Sequence, residues 1–181
     1  MNILLIPRVE INKERNETNY ILDIRLYKFL NYCFKTKNVF INDINLKDNI
    51  KIDLIVISGG NNLINKKKSD ILRYKISKKI IEFDLKKKIP ILGICYGAQL
   101  ISSIYDSKIK KVIGHVRSKH FVFSANKKRL VNSYHNYAIY SHNSKKLKPL
   151  MFDSNNNIEM FNIINKKIIG IMWHPERNQL Y

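Results

Sequence analysis

The chain has 181 residues, 45% of them hydrophobic and 10% aromatic, which predicts one globular domain over 1–181 and excludes a disordered polymer. No apolar run reaches a membrane span or a signal sequence, since Ile3-Leu4-Leu5-Ile6 is broken at once by Pro7-Arg8, so a cytoplasmic protein with no membrane partner is expected. Its 33 Lys and Arg outnumber 14 Asp and Glu for a net charge of +19. The lysines lie in short scattered clusters such as 110–111, 127–129 and 166–167, not on one aromatic-laced stripe, so no nucleic-acid partner is expected and an attraction for small anions is.

In chain order, Asn2–Ile6 reads as a core strand and the polar segment 8–19 as a loop. From Tyr20 to Phe34, Leu22, Leu26, Phe29, Leu30 and Cys33 fall at helical spacing. Val39–Ile41 and Asp53–Ile57 read as further strands, the second ending at Ser58-Gly59-Gly60-Asn61. Leu72, Ile76, Ile80 and Phe83 step by helical intervals between Ser69, a plausible N-cap, and Lys87. This alternation predicts an α/β fold, a mostly parallel sheet flanked by helices, with ligands beyond the carboxyl ends of the strands. The second half reads as short strands, 120–123, 130–134, 138–140, 158–163 and 168–173, with a turn at 153–157. They predict an antiparallel extension of the same domain.

Two stretches carry chemistry. Ile89–Ile94 is a short, nearly all-apolar run, as a strand buried on both faces would be, and Cys95 follows between Gly93 and Gly97. The next residues have helical spacing, so Cys95 is predicted at a sharp strand-to-helix bend, where both flanking glycines avoid collisions. The free amides of a helix start favour a thiolate there. Far downstream comes Trp173-His174-Pro175-Glu176-Arg177. In an extended chain His174 and Glu176 project together, with Pro175 excluding a helix, and a carboxylate beside an imidazole orients it. Cys33 and Cys95 need not pair, and no Cys/His spacing suggests zinc, so neither metal nor cofactor is expected.

Gly59-Gly60, Gly93-Ile94-Cys95-Tyr96-Gly97-Ala98-Gln99 and His174-Pro175-Glu176, in that order, resemble the class I glutamine amidotransferase superfamily, which has a flavodoxin-like fold. Val131–Asn136, Met172–Arg177 and Gly114-His115-Val116 followed by His120 resemble its γ-glutamyl hydrolase (peptidase C26-like) branch. The resemblance implies Cys95 as nucleophile, His174 as general base then acid, and Glu176 as its orienter. It places the oxyanion hole at the backbone N–H groups of Gly60 and Tyr96, and the γ-glutamyl pocket at Gly59, Gln99, Ser133, Tyr134 and His135. Two residues depart from that branch: Tyr96 stands where Arg is common, and Asn62 where an acidic residue follows the glycines. The implied activity is hydrolysis of a small γ-glutamyl amide through a cysteine thioester, with a γ-glutamyl nucleotide amidate of capsule synthesis as one substrate. The alternative is a glutaminase component supplying ammonia to a synthase partner. An inactive binding module and a homo-oligomer are further readings.

Overall fold

The computed structural model describes residues 1–41, 50–64 and 67–178, apart from the side chains of residues 84–86. Five short segments form its parallel half. Strands β1 (Asn2–Ile6), β4 (Asn38–Ile41), β5 (Leu54–Ile57), β6 (Ile91–Ile94) and β13 (Ile168–Ile171) lie in the order β4-β1-β5-β6-β13, every neighbouring pair parallel. Their near-continuous apolar runs follow from burial on both faces. Leu4, Ile6, Ile55 and Ile57 pack on one side with Ile80 and Ile81 of helix α2 (Lys68–Lys87) and Leu100 and Ile101 of helix α3 (Tyr96–Ile104). Ile3, Leu5, Leu54 and Val56 pack on the other with Leu26, Phe29 and Leu30 of helix α1 (Ile24–Phe34).

The antiparallel half continues the same sheet from β13. It runs through β12 (Ile158–Ile163), β11 (Leu147–Phe152), β8 (Val116–Ser124) and β9 (Lys127–Tyr134). Off this path β10 (Tyr137–Ser141) pairs with β12 and with β7 (Lys108–Lys111). Among the described residues no helix is long and apolar enough to cross a membrane.

Several expectations need correction. The segment read as a loop from residue 8 holds a hairpin, β2 (Arg8–Asn12) and β3 (Glu17–Ile21). Its residues are mostly exposed, with Val9 buried, so its apolar signal was too weak to find. The helical stretch predicted from Tyr20 begins at Ile24, because Asp23 is the N-cap, its Oδ1 accepting from the Arg25 amide at 3.0 Å. Cys33, on the predicted apolar stripe, is exposed: the buried residues of α1 are Leu26, Phe29 and Leu30, and Cys33 falls in the last turn before the left-handed Lys35. Two further strands went unpredicted. β7 is lysine-rich, as suits a strand paired on one side only, and β11 contains Pro149 at a register shift in its pairing with β12.

Candidate active site

The carboxyl ends of three adjacent parallel strands converge here. β5 runs into Ser58-Gly59-Gly60, β6 into Cys95, and β13 toward His174. Cys95 extends the ladder, its N–H donating to Ile171 O at 2.8 Å, and it is also the N-cap of α3, with φ 51° and ψ −102°. A non-glycine residue held at such angles costs about 1–3 kcal/mol, and such strain gathers where the surroundings fix a reactive group. A Cβ at Gly93 would come within 2.7 Å of the Gly97 carbonyl carbon, the collision predicted across the bend. A Cβ at Gly97 would instead overlap Ile57 O of β5, so that glycine lets the helix start press against the neighbouring strand.

His174 faces this bend. Its Nδ1 is 2.6 Å from Glu176 Oε1, and both residues are buried. The two meet differently from the extended arrangement predicted. Pro175–Arg177 forms a 3-10 turn, which proline permits because the first residue of a helix needs no N–H partner. Burial pulls the His174 pKa down, but hydrogen bonds with Cys95 and Glu176 outweigh it and raise the value to about 9. The ring therefore favours the imidazolium, partnered on each side by an anion or incipient anion.

The oxyanion-loop candidate has a partner that sequence reading missed. Arg73 of α2 is fully buried, and its guanidinium donates to the carbonyls of Ser58 (2.5 Å), Gly59 (2.9 Å) and Gly60 (2.7 Å) and to Asn61 Oδ1 (3.1 Å). It also lies over the Tyr96 ring, 4.2 Å from its centroid. Burial lowers its pKa to about 10, so it stays charged at neutral pH. Because a trans peptide sets its C=O and N–H in opposite directions, fixing the Gly59 carbonyl on Arg73 turns the Gly60 N–H away from it. Gly60 has φ +85° and its face is covered by Arg8, so glycine is required there. An arginine in the middle of a lysine-rich helix gives no signal in sequence that it points inward.

A cavity of about 450 Å³ is lined by Gly60, Cys95, Tyr96, Gln99, Tyr134, His135 and His174, together with Asn62, Arg117 and Arg177. The structure thus brings most of the predicted residues together. Gln99 is buried, its Nε2 donating to Tyr137 O at 2.9 Å, so it braces the far wall. Gly59 lies behind the His174 ring rather than in the cavity. Ser133 is also outside it: its hydroxyl donates to His115 O at 2.6 Å. Strand alternation explains this, since the flanking Asn132 and Tyr134 face His174 instead. Asn132 grips the His174 backbone twice, Nδ2 donating to its carbonyl (2.7 Å) and Oδ1 accepting from its N–H (2.8 Å). His135 borders the cavity, yet its Nδ1 is bonded to Tyr137 O (3.0 Å) and its Nε2 faces Glu159.

The family profile for class I glutamine amidotransferase matches residues 24–179. The chain belongs to that family. It is 39% identical over 132 residues to the γ-glutamyl-CDP-amidate hydrolase of Campylobacter jejuni, an alignment spanning 70% of this chain and 63% of that one, so just under two thirds of the relative is covered. It is 28% identical over 167 residues to one subunit of the glutamine-hydrolysing GMP synthase of Methanococcus vannielii, spanning 84% and 80%. Among solved structures, a GMP synthase subunit from Thermoplasma acidophilum superposes with a TM-score of 0.72 at 20% identity, covering 97% of this chain and 84% of its own. A glutamine amidotransferase from Thermotoga maritima gives 0.68 at 20% identity, covering 97% and 76%. These likenesses show the α/β amidotransferase fold expected from sequence.

Proposed function

We propose that the protein hydrolyses a γ-glutamyl amide bond and releases glutamate. The observation that carries this reading is Cys95, strained at a helix N-terminus, facing a His174 whose Nδ1 is held by Glu176 at 2.6 Å. In this mechanism the Cys95 thiolate attacks the γ-carbonyl carbon, and the carbonyl oxygen takes the negative charge. The Gly60 and Tyr96 N–H groups receive that charge, Tyr96 as the first residue of α3 and Gly60 as the loop residue turned outward by Arg73. Collapse of the tetrahedral species breaks the C–N bond while the His174 imidazolium gives its proton to the leaving nitrogen. The resulting neutral imidazole takes a proton from water, which attacks the thioester, and the restored imidazolium–thiolate pair remains as glutamate leaves. Glu176 keeps the ring oriented throughout.

On the leaving-group side we favour a γ-glutamyl nucleotide amidate used in capsule synthesis. Support comes from the similarity to the Campylobacter jejuni hydrolase, and from Arg117 and Arg177 on the cavity wall of a chain with net charge +19, a setting for a phosphorylated leaving group. A glutaminase component supplying a synthase is the second reading, favoured by the match to the Methanococcus vannielii GMP synthase protein over 80% of that chain. Incubating purified protein with γ-glutamyl-CDP-amidate or with glutamine, and following glutamate, separates them. Partner-free turnover of the amidate, lost in Cys95→Ala, is the expected result. Glutamine turnover appearing only when a synthase is added would replace the first reading by the second.

A further inference from the structure

Behind the far wall of the cavity the antiparallel strands bring together three imidazoles and a carboxylate that the sequence keeps far apart. His115 precedes β8, His120 lies within it, His135 follows β9, and Glu159 comes from β12. The rings of His115 and His120 are 4.7 Å apart between centroids, and those of His115 and His135 4.9 Å. Glu159 is completely buried, yet neither of its carboxylate oxygens has a hydrogen-bond partner, nor does His135 Nε2 or either nitrogen of His120. Folded proteins rarely leave one such atom unpaired, and a cluster of them facing inward calls for something they share.

The spacing identifies what that is. His135 Nε2 is 3.5 Å from Glu159 Oε1, and His120 Nε2 is 3.4 Å from Glu159 Oε2, ion-pair distances longer than those of a well-formed hydrogen bond. Four ligands on bonds of about 2.0–2.1 Å set tetrahedrally around zinc stand about 3.3–3.4 Å from one another. One donor atom each from His115, His135 and Glu159 lies within 4.8 Å of the others, a span that small side-chain rotations close. The outer contacts fit as well. The His135 Nδ1–H is used up on Tyr137 O at 3.0 Å, which leaves a lone pair on Nε2. His115 turns Nε2 toward Asp153 Oδ2 at 3.6 Å and keeps Nδ1 buried and unpartnered. Asp153 is itself fixed by the Asn155 and Asn157 amides, each donating to Oδ1 at 2.8 Å. Imidazoles oriented in this way by a carbonyl or carboxylate are the usual surroundings of a bound metal.

We propose that His115, His135 and Glu159, with His120 beside them, form a structural binding site for a divalent transition ion, with zinc as the ion that best suits imidazole nitrogens and a carboxylate oxygen. The ion ties β8, β9 and β12 together beneath the wall that His135 presents to the cavity. No part of the amide-bond chemistry passes through it.

Metal analysis and competition with a chromophoric zinc chelator test the proposal on the full chain, alongside Cys95→Ser, Glu159→Gln and His120→Ala. The expected result is about one zinc per chain, unchanged in Cys95→Ser and weakened at least tenfold in the other two, with the thermal midpoint of the wild type raised by zinc and lowered by chelator. Zinc lost in Cys95→Ser but kept in Glu159→Gln would move the ion to the active site and overturn the proposal, as would failure to bind zinc stoichiometrically. Should Glu159→Gln not fold, cobalt(II) added to the wild type decides: four-coordinate visible bands without a thiolate charge-transfer band support the site, and a thiolate band refutes it.

Discussion

Gly59→Ala tests the geometry of the site through one contact. A methyl group there would overlap His174 Cε1 and stand 3.2 Å from Nε2 and 3.3 Å from Nδ1. Carbon atoms rest about 3.5–4.0 Å apart, so the ring must withdraw by about 1 Å or the loop must move. The ring has little freedom: Glu176 holds Nδ1 at 2.6 Å, Asn132 holds the backbone on both sides of the residue, and the Tyr134 ring stands edge-on at 5.6 Å. The loop has little either, with Arg73 bonded to the carbonyls of Ser58, Gly59 and Gly60. A misplacement of about 1 Å costs about 100-fold in rate, which at 1.36 kcal/mol per decade is about 2.7 kcal/mol of lost transition-state stabilisation. Gly59 does not occupy the left-handed region that resists a side chain, so the strain of alanine there comes from the collision with the ring, and overpacking of this kind costs about 1–3 kcal/mol. The expected outcome is a kcat/KM for glutamate release down about 100-fold with a thermal midpoint lowered by only several degrees. Activity within threefold of wild type would refute the packing of Gly59 on the base; an equal collapse of activity and stability would mean the glycine serves folding instead.

Glu176→Gln should lower activity less than Cys95→Ala or His174→Ala, and adding it to His174→Ala should cost little more, since an orienter acts only through its base; multiplicative losses would contradict the triad. The His174 pKa of about 9 is above the ordinary 6.5, so the ion pair's contribution to stability is complete below about 6.5 and lost as pH rises through about 9. The alkaline limb of kcat/KM should lie near 9 and move down in Glu176→Gln; a limb that does not move would assign it to another group. Arg73→Lys keeps the charge but not the fork that spans three carbonyls, so it should reduce kcat by about 10²–10³, the worth of an oxyanion donor, with KM little affected; a pure KM effect would count against loop positioning. Cys33 is exposed and Cys95 lines the cavity, so brief iodoacetamide treatment should label both, and saturating a γ-glutamyl ligand should protect Cys95 alone; protection of Cys33 instead would misplace the site.

What could be read from sequence follows from where the constraints lie. The strand-bend-helix around Cys95 was legible because tight backbone turns demand particular residues: glycine at 93 and 97 has a steric cause that any sequence must respect. The pairing of His174 with Glu176 was also legible, although the route to it was not, since a proline two residues before Arg177 is compatible with both an extended strand and the 3-10 turn found. Arg73 and the His115–Glu159 cluster were invisible for a common reason. Each depends on side chains meeting across elements distant in sequence, and no local period or spacing records such a meeting. Ser133 erred in the opposite direction: lying inside a block that resembles a pocket-lining motif, it was given to the pocket, whereas the two-residue repeat of β9 sends it to the other face.

Besides the pairing of β12 with β13, the two halves of the sheet meet at His174. Cys95, the proposed nucleophile, and the loop before α2 belong to the parallel half, yet His174, the proposed base, is suspended between halves. Its strand, β13, is the last parallel one, and its backbone is clasped on both sides by Asn132 from β9, four strands away along the sheet. β9 in turn is paired with β8 throughout its length, and β8 carries His120 of the histidine cluster. A change that loosens β8 against β9 therefore reaches His174 through Asn132 without touching Cys95 or Glu176. That makes the antiparallel extension more than a wall of the cavity. Through Asn132 it supports the position of the His174 backbone at the end of the last parallel strand.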